Sequence, residues 1–547
     1  MMTLRGKCPR SNRTGIAAVV LLGLTATACA GTDTASDPGT AKLSNQEIPS
    51  FTMALPAQPP GFNRATSAQP FVTGMVMSLV TEPLERVSAD GRFTPALAEK
   101  VTQPDPTTLV YTLRKGVRFS DGQPLTADDV AWSITHTATP PAQTSASVRS
   151  FKSASVSGPL EVTVKLSFAA PSARESVAEA TLIQEKKFAT AHKSDLGTAK
   201  AIPVGTGPYQ VDSATGAGIT LNRRNSYWGT KPKVKQLNLK VVTDDNSAQL
   251  AMRSGEVNLR QLSNLKTAAQ WRDIPGTSVV SSPSNSVNFL AMDVTKAPFD
   301  DIHVRRAISH ATDIPGLMKA AWGGEATALK GLMPVGSLAG VADGEKPAQT
   351  YLDSLPDHSL DLDEAKKELA ESAHPQGFTT TVEYVAEVPA TKVLALSLQE
   401  TLKPLGIDLK VKSVTLNAWS AKFFQHQLTG LILGFGFTAG TADPASPLAS
   451  MVGKENIGPQ KANLANFTNS QVEKALPVLT TAGSDASRWT ATRTVLSQIA
   501  QQVPYVPLAS ENLLVAIGKG YASSTGDVSN QDLQNGNWAL NLRATQQ

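Results

Sequence analysis

Two stretches set apolar and polar residues in strict alternation, and that period constrains the fold more than any other feature. TTLVYTLR places Leu109, Tyr111 and Leu113 opposite Val110, Thr112 and Arg114. LEVTVKLSF places Leu160, Val162, Val164, Leu166 and Phe168 on one face. A period of two fits a half-buried strand and little else. Between and beyond such stretches lie helix signals. LTADDVAWSI offers Thr126 as an N-cap with Asp129 three residues on. LDLDEAKKELAESA repeats the device with Asp361 and Glu364. DDNSAQLAMRSGEVNL predicts a helix stopped at Gly255, then a strand. ATKVLALSLQETLKPLGIDLKVKSV predicts a helix, a Pro-Leu-Gly stop, and a strand burying Ile407, Leu409 and Val411. DASRWTATRTVLSQIAQQ predicts a long helix carrying Trp489, Leu496 and Ile499, and Pro504 and Pro507 enforce an extended exit. Strands and helices alternating over 547 residues predict an α/β architecture with more than one core. No internal repeat is visible.

The N-terminus has a different composition. Arg5, Lys7, Arg10 and Arg13 precede an apolar run from Ile16 to about Leu24, then Ala26-Thr27-Ala28 and Cys29. This is the plan of an export signal, and the run is short for a membrane span. A plain secretory signal cleaved near Ala28 fits. Ala26-Thr27-Ala28-Cys29 also resembles a bacterial lipoprotein signal, although Ala26 stands where Leu is usual. On that reading Cys29 is lipidated and becomes the new N-terminus, and two or more acyl chains anchor stably. The small polar residues that follow read as a flexible tether. No later run of about 18 apolar residues appears.

Removing the segment before Cys29 takes four basic residues from 50, leaving 46 against 46 acidic ones. A neutral body excludes a general nucleic-acid binder, which needs a basic face. It also leaves one cysteine, so no intrachain disulfide forms. Catalytic signatures are missing: no G-x-S-x-G, H-E-x-x-H, Walker A or C-x-x-C occurs. His303 and His310 lie seven apart on a predicted helix, with no carboxylate pair in register, so a metal site is not expected. No cofactor is expected either, and an exported hydrolase is disfavoured.

Several motifs, in order, carry a family resemblance. LRKGVRFSDGQPLTADDVAWSI (residues 113–134), IPVGTGPY (202–209), RRNSYWG (223–229), SGEVNL, APFDDIHVRRAISHATD (297–313) and VPYVPL (503–508) are similar to those of the peptide/nickel-type extracellular solute-binding proteins of ABC importers, family 5. The glycines and aromatics in them read as fold-keeping: Asp121-Gly122 as a turn, Gly205 and Gly207 as a tight crossover, Tyr227 and Trp228 as packing. The resemblance implies a two-lobed, periplasmic-binding-protein-like (Venus flytrap) α/β fold of three domains, type II or cluster C. It implies a lipoprotein signal over 1–28 and a tether over 29–45. A core domain of lobe 1 would be assembled from 46–83, 203–290 and 506–547, an additional lobe-1 domain from 84–202, and lobe 2 from 291–505.

The implied function is a membrane-anchored extracytoplasmic receptor, monomeric, that captures a solute between its lobes and delivers it to ABC permease subunits. Oligopeptides or dipeptides are the first expectation. The alternative is an envelope lipoprotein of the same fold with a non-transport role in glycolipid assembly or signalling. In peptide-binding relatives an Asp anchors the ligand's α-ammonium. The matching stretch here is LILGFGFTAGTADPASPL, where Gly440 occupies the expected position and Asp443 is the nearest substitute. A buried ammonium without a counter-ion is costly, so N-blocked peptides, sugars, opines and siderophore-like or lipid-derived solutes stay open. Phe435, Phe437 and Thr438 follow an apolar strand and are expected cleft-lining residues, with Trp419 and Asn285 as further candidates.

Overall fold

The computed structural model of the protein describes residues 42–67, 69–88, 91–357, 359–437, 443–481 and 483–546. Cys29, Thr438 and Gly440 lie outside the described residues. Among those described, no helix is long and apolar enough to cross a membrane.

The first strand of the lobe-1 core, Ile48–Leu55, pairs in parallel with Val234–Val241, which continues antiparallel through Gly218–Arg223 to Tyr209–Thr215. On its other side Ile48–Leu55 meets the short strand Leu259–Gln261. Phe51, Met53, Leu55, Leu237, Leu239 and Trp538 bury the inner face of this sheet. A separate four-stranded sheet holds both alternating stretches, in the order Ala98–Asp105, Thr108–Leu113, Glu161–Leu166, Phe151–Gly158. Leu109, Tyr111, Leu113, Val162, Val164 and Leu166 are buried against the helix Ala127–Ala138. Phe168 departs from expectation: the strand ends at Leu166 and the ring is 49 % exposed.

Lobe 2 is built on Asp408–Val414, Thr379–Val385, Leu431–Phe437 and Val287–Met292, in that spatial order. Every residue of Val287–Met292 is buried, because helices cover both faces. Leu290, Leu431 and Leu433 meet one helical layer; Val287, Phe289 and Ile432 meet the other.

One strand belongs to both lobes. Tyr505–Ile517 pairs with Val287–Met292 through its first half and with Ser278–Pro283 and Leu259–Gln261 through its second. The chain also crosses between lobes at residues 284–286, where buried Asn285 adopts φ 55°, in the left-handed region.

The helix signals act as caps. Thr126 Oγ1 accepts from Asp129 N at 3.2 Å, and Asp129 Oδ2 accepts from Thr126 N at 3.0 Å. Asp361 caps Asp363 and Glu364, but Glu364 turns to Lys367 instead of returning to the cap, so only half of that box forms. Three of the sequence motifs meet at Arg224, whose guanidinium donates to Gly207 O at 2.9 Å and Phe119 O at 2.8 Å. A side chain on Gly205 would run into the Val80 carbonyl, and one on Gly207 would come within 2.6 Å of Leu79 O. The tight crossover is thereby explained by close backbone approach.

Tyr227 and Trp228 pack as expected, around a residue the sequence did not single out. Glu82 is fully buried. Its Oε1 accepts from Tyr227 Oη at 2.7 Å and Arg86 Nη2 at 2.9 Å, and its Oε2 from Trp228 Nε1 at 2.8 Å and Thr206 Oγ1 at 2.9 Å.

Candidate functional site

Two cavities open between the lobes. One, of about 270 Å³, lies on the shared strand and is lined by Phe71, Gln261 and Asn530 from lobe 1, Ser284, Ser286 and Glu511 from the crossing segments, and Gly436 from lobe 2. The serines hold the crossing. Ser284 Oγ donates to Glu511 O at 2.5 Å, and Ser286 Oγ accepts from Glu511 N at 3.1 Å. Glu511 Oε1 accepts from Trp322 Nε1 at 2.7 Å. Burial pushes the Glu511 carboxyl above the ordinary carboxylate range, while its hydrogen bonds to Trp322 and Asn288 pull the other way.

The second cavity, of about 210 Å³, lies away from the shared strand. Arg149, Ser172 and Ser176 of the four-stranded domain face Ala445, Ser446 and Asn456 of lobe 2. Arg149 Nη1 donates to Asn456 Oδ1 at 3.4 Å across the gap. A third cavity, of about 190 Å³ and mostly apolar, is confined to lobe 2 between Ile314, Leu332, Leu355 and Tyr505; lobe closure cannot grip a solute there.

The aromatic candidates form a stack of their own. Trp419 lies 4.8 Å from Phe435 and 5.5 Å from Phe423, and Phe437 lies 5.8 Å from Phe423 and 4.9 Å from Phe289 (ring centroids). Trp419, Phe435 and Phe437 line neither interlobe cavity. Asp443 is held by an ion pair with buried Arg488, and its Oδ1 accepts from Ala445 N at 2.8 Å. Its carboxylate therefore already has a cation, just ahead of the helix Ala445–Val452. Asn285 stands between the two cavity-lining serines. Glu511 and Gln261 were missed by sequence reasoning; the available signal was a lone acidic residue inside the apolar run of PYVPLASENLLVAI.

Two lobes joined by a shared strand, with cavities of mixed polar and apolar lining between them, form a receptor frame, and residues 92–459 match the family of bacterial extracellular solute-binding proteins, family 5 Middle. The chain belongs to the family 5 solute-binding proteins. It is 26 % identical over 435 residues to the glutathione-binding protein GsiB of Salmonella paratyphi A, covering 77 % of this chain and 81 % of that one. The fold is similar to that of the ABC transporter substrate-binding protein CtaP of Listeria monocytogenes, at TM-score 0.78 and 20 % identity over 92 % of this chain and all of that one. It is also similar to DppA of Helicobacter pylori in complex with the peptide STSA, at TM-score 0.74 and 19 % identity over 92 % and 99 %. The two-lobed α/β fold and the extracytoplasmic setting are those of family 5.

Elsewhere in this family 5 chain the structure corrects the reading of His303. Carboxylates absent from its own helix arrive from the helix Leu362–Ala370 and its end: Glu368 lies 2.7 Å and Glu371 3.8 Å from His303 Nδ1. The three groups sit close enough to share a cation. Arg306, 3.8 Å from Glu368, already supplies positive charge, and the cluster reads as an ion-pair network. His310 points elsewhere, to Ser359 O at 3.1 Å.

Proposed function

We propose that this protein is a monomeric receptor, anchored to the outer face of the cytoplasmic membrane through lipidated Cys29, that captures short peptides between its lobes and delivers them to an ABC permease. The observation that carries this reading is the pair of interlobe cavities, one on the shared strand and one between Arg149 and Asn456. A solute touching both walls favours the closed arrangement, because only that arrangement makes both sets of contacts. The names of relatives support the solute class: glutathione is itself a tripeptide, and DppA holds a tetrapeptide. A lipid tether would keep the receptor at high effective concentration near its permease.

Native mass spectrometry of the protein purified from its host, followed by denaturation, tests the reading. A set of short peptides released on denaturation is the expected result. A single non-peptide mass would assign another solute. An empty protein that gains no thermal stability from peptide mixtures would favour the envelope role. Replacing Cys29 with Ser is expected to release the protein from the membrane fraction.

A further inference from the structure

The apolar cavity of lobe 2 lies outside the interlobe cleft. Its walls come from separate segments: Ile314 at the start of the helix Ile314–Trp322, Leu329, Leu355, Ala500 on the last turn of the helix Asp485–Gln502, and Pro507 on the shared strand. Leu329 N donates to Leu508 O at 3.1 Å, which fastens that wall to the shared strand. The backbone breaks regularity twice beside the cavity. Val503, which ends the helix, takes φ 50°, in the left-handed region. A β-branched residue is a true outlier there, and backbone strain of this kind gathers at ligand-holding sites. Pro507 has no N–H for the ladder, and the register shifts opposite it, between Asn288 and Phe289. Charge at the mouth is already matched. Lys330 faces Asp353 at 3.8 Å, and Asp357 Oδ1 accepts from Ser359 N at 2.9 Å. The rim carries both signs and selects for neither, while a charged group drawn between the apolar walls would lose its water.

We propose that this cavity is a second ligand site, separate from the interlobe cleft, for one small uncharged ring. At about 190 Å³ it exceeds the roughly 150 Å³ of an apolar cavity that takes up benzene. It is too small to admit a helix about 10 Å across, and apolar walls hold water poorly. Its walls belong to lobe 2 and to the half of the shared strand that pairs with lobe 2. The site therefore stays whole whether the lobes are open or closed. A ring bound there does not compete with the solute and favours neither arrangement. It acts on stability, bracing the strained joint at Val503 against the shared strand.

The full-length protein is titrated calorimetrically with toluene, indole and benzoate, and its melting temperature is read with each. Toluene and indole are expected to bind with Kd of about 1 mM or tighter and to raise the melting temperature. Benzoate, a similar ring carrying a carboxylate, should bind at least about tenfold more weakly than toluene. Ala500→Phe puts a ring of the protein's own into the cavity; it should abolish toluene binding and leave the unliganded melting temperature equal or higher. Leu355→Ala enlarges the cavity and should shift the affinity ratio toward indole by about fourfold or more. X-ray scattering with saturating toluene should leave the radius of gyration unchanged. No melting shift with toluene or indole, or toluene binding by A500F within about threefold of wild type, overturns the site. Should A500F fail to fold, L355A decides: an unchanged ratio of toluene to indole affinity overturns it. Benzoate binding as tight as toluene binding overturns the uncharged class. A radius of gyration that falls with toluene places the ring's action on lobe closure and overturns the separation from the cleft.

Discussion

Replacing Glu82 with Gln tests how the two parts of lobe 1 are tied together. The substitution keeps the volume but removes the charge and turns one oxygen into an NH2 group. The hydroxyls of Tyr227 and Thr206 can rotate to accept from that group; Arg86 and the Trp228 indole can only donate. Whichever way the amide turns, one fixed donor loses its acceptor. Turning the NH2 toward Trp228 costs about 1–3 kcal/mol for a buried unmade donor. Arg86 keeps an oxygen in that orientation but loses its counter-charge. Breaking a buried pair costs about 3–5 kcal/mol, and Arg86, 14 % exposed, falls below that because water reaches it. The sum for E82Q is about 4 kcal/mol. Tyr227→Phe removes a single bond to a charged acceptor, about 1.5–3 kcal/mol. Urea unfolding followed by tryptophan fluorescence reads both, with Trp228 reporting locally. Tyr227 and Arg86 share one oxygen, so the double variant should cost less than the sum of the singles. An E82Q loss below about 1 kcal/mol, or strict additivity, would refute the four-donor account.

Four further outcomes are expected. Gly205→Ala forces a methyl into the Val80 carbonyl and should cost about 2–4 kcal/mol, read by chemical denaturation. Asp443→Asn takes the nearer carboxylate from buried Arg488, leaving exposed Asp485 at 3.6 Å, and should cost about 2–4 kcal/mol while leaving peptide affinity within about threefold; binding lost at unchanged stability would make Asp443 the ligand's own anchor. Arg149→Ala removes a single long, partly buried contact across the cleft, so affinity should fall only about two- to fivefold while the unliganded radius of gyration by X-ray scattering rises. The Glu179 carboxyl is pushed up to about 8, chiefly by burial and then by Glu175, with Arg64 opposing. A raised carboxyl stabilises the fold below its ordinary value of 4.5 and loses that contribution as pH rises through about 8. The melting temperature of Glu179→Gln should therefore gain on wild type steadily across that window, and a constant difference would count against it.

What the chain encodes locally was legible from one dimension. Thr126 and Asp129 find each other within a helical turn, and the alternation of Leu109, Tyr111 and Leu113 survives because strand period is a local property. Close approach at Gly205 and Gly207 was legible as a need for glycine, though the partners Leu79 and Val80 were not. What failed was set by distant segments. Phe168 continues the period on paper, but the ladder has no partner for it beyond Leu166. Glu368 reaches His303 from 65 residues away. That Trp419, Phe435 and Phe437 meet through Phe423 is likewise set by chain segments brought together in space. Glu511 lines an interlobe cavity only because the shared strand carries it there, which no spacing within the sequence expresses.

The shared strand also governs the order in which the molecule can come into being. Ile48–Leu55 waits for Val234–Val241, and the main sheets of both lobes wait for Tyr505–Ile517 near the end of the chain. A polypeptide emerging N-terminus first can close its four-stranded sheet early, since that sheet is made from residues 98–166 alone. Until the last tenth of the chain is out, the sheet that joins the lobes presents open edges, the state most prone to wrong pairing. Such a chain stays unfinished, and threadable, through most of its passage across a membrane. A premature stop before Tyr505 would leave neither lobe complete, where a bead-like arrangement of domains would have kept one.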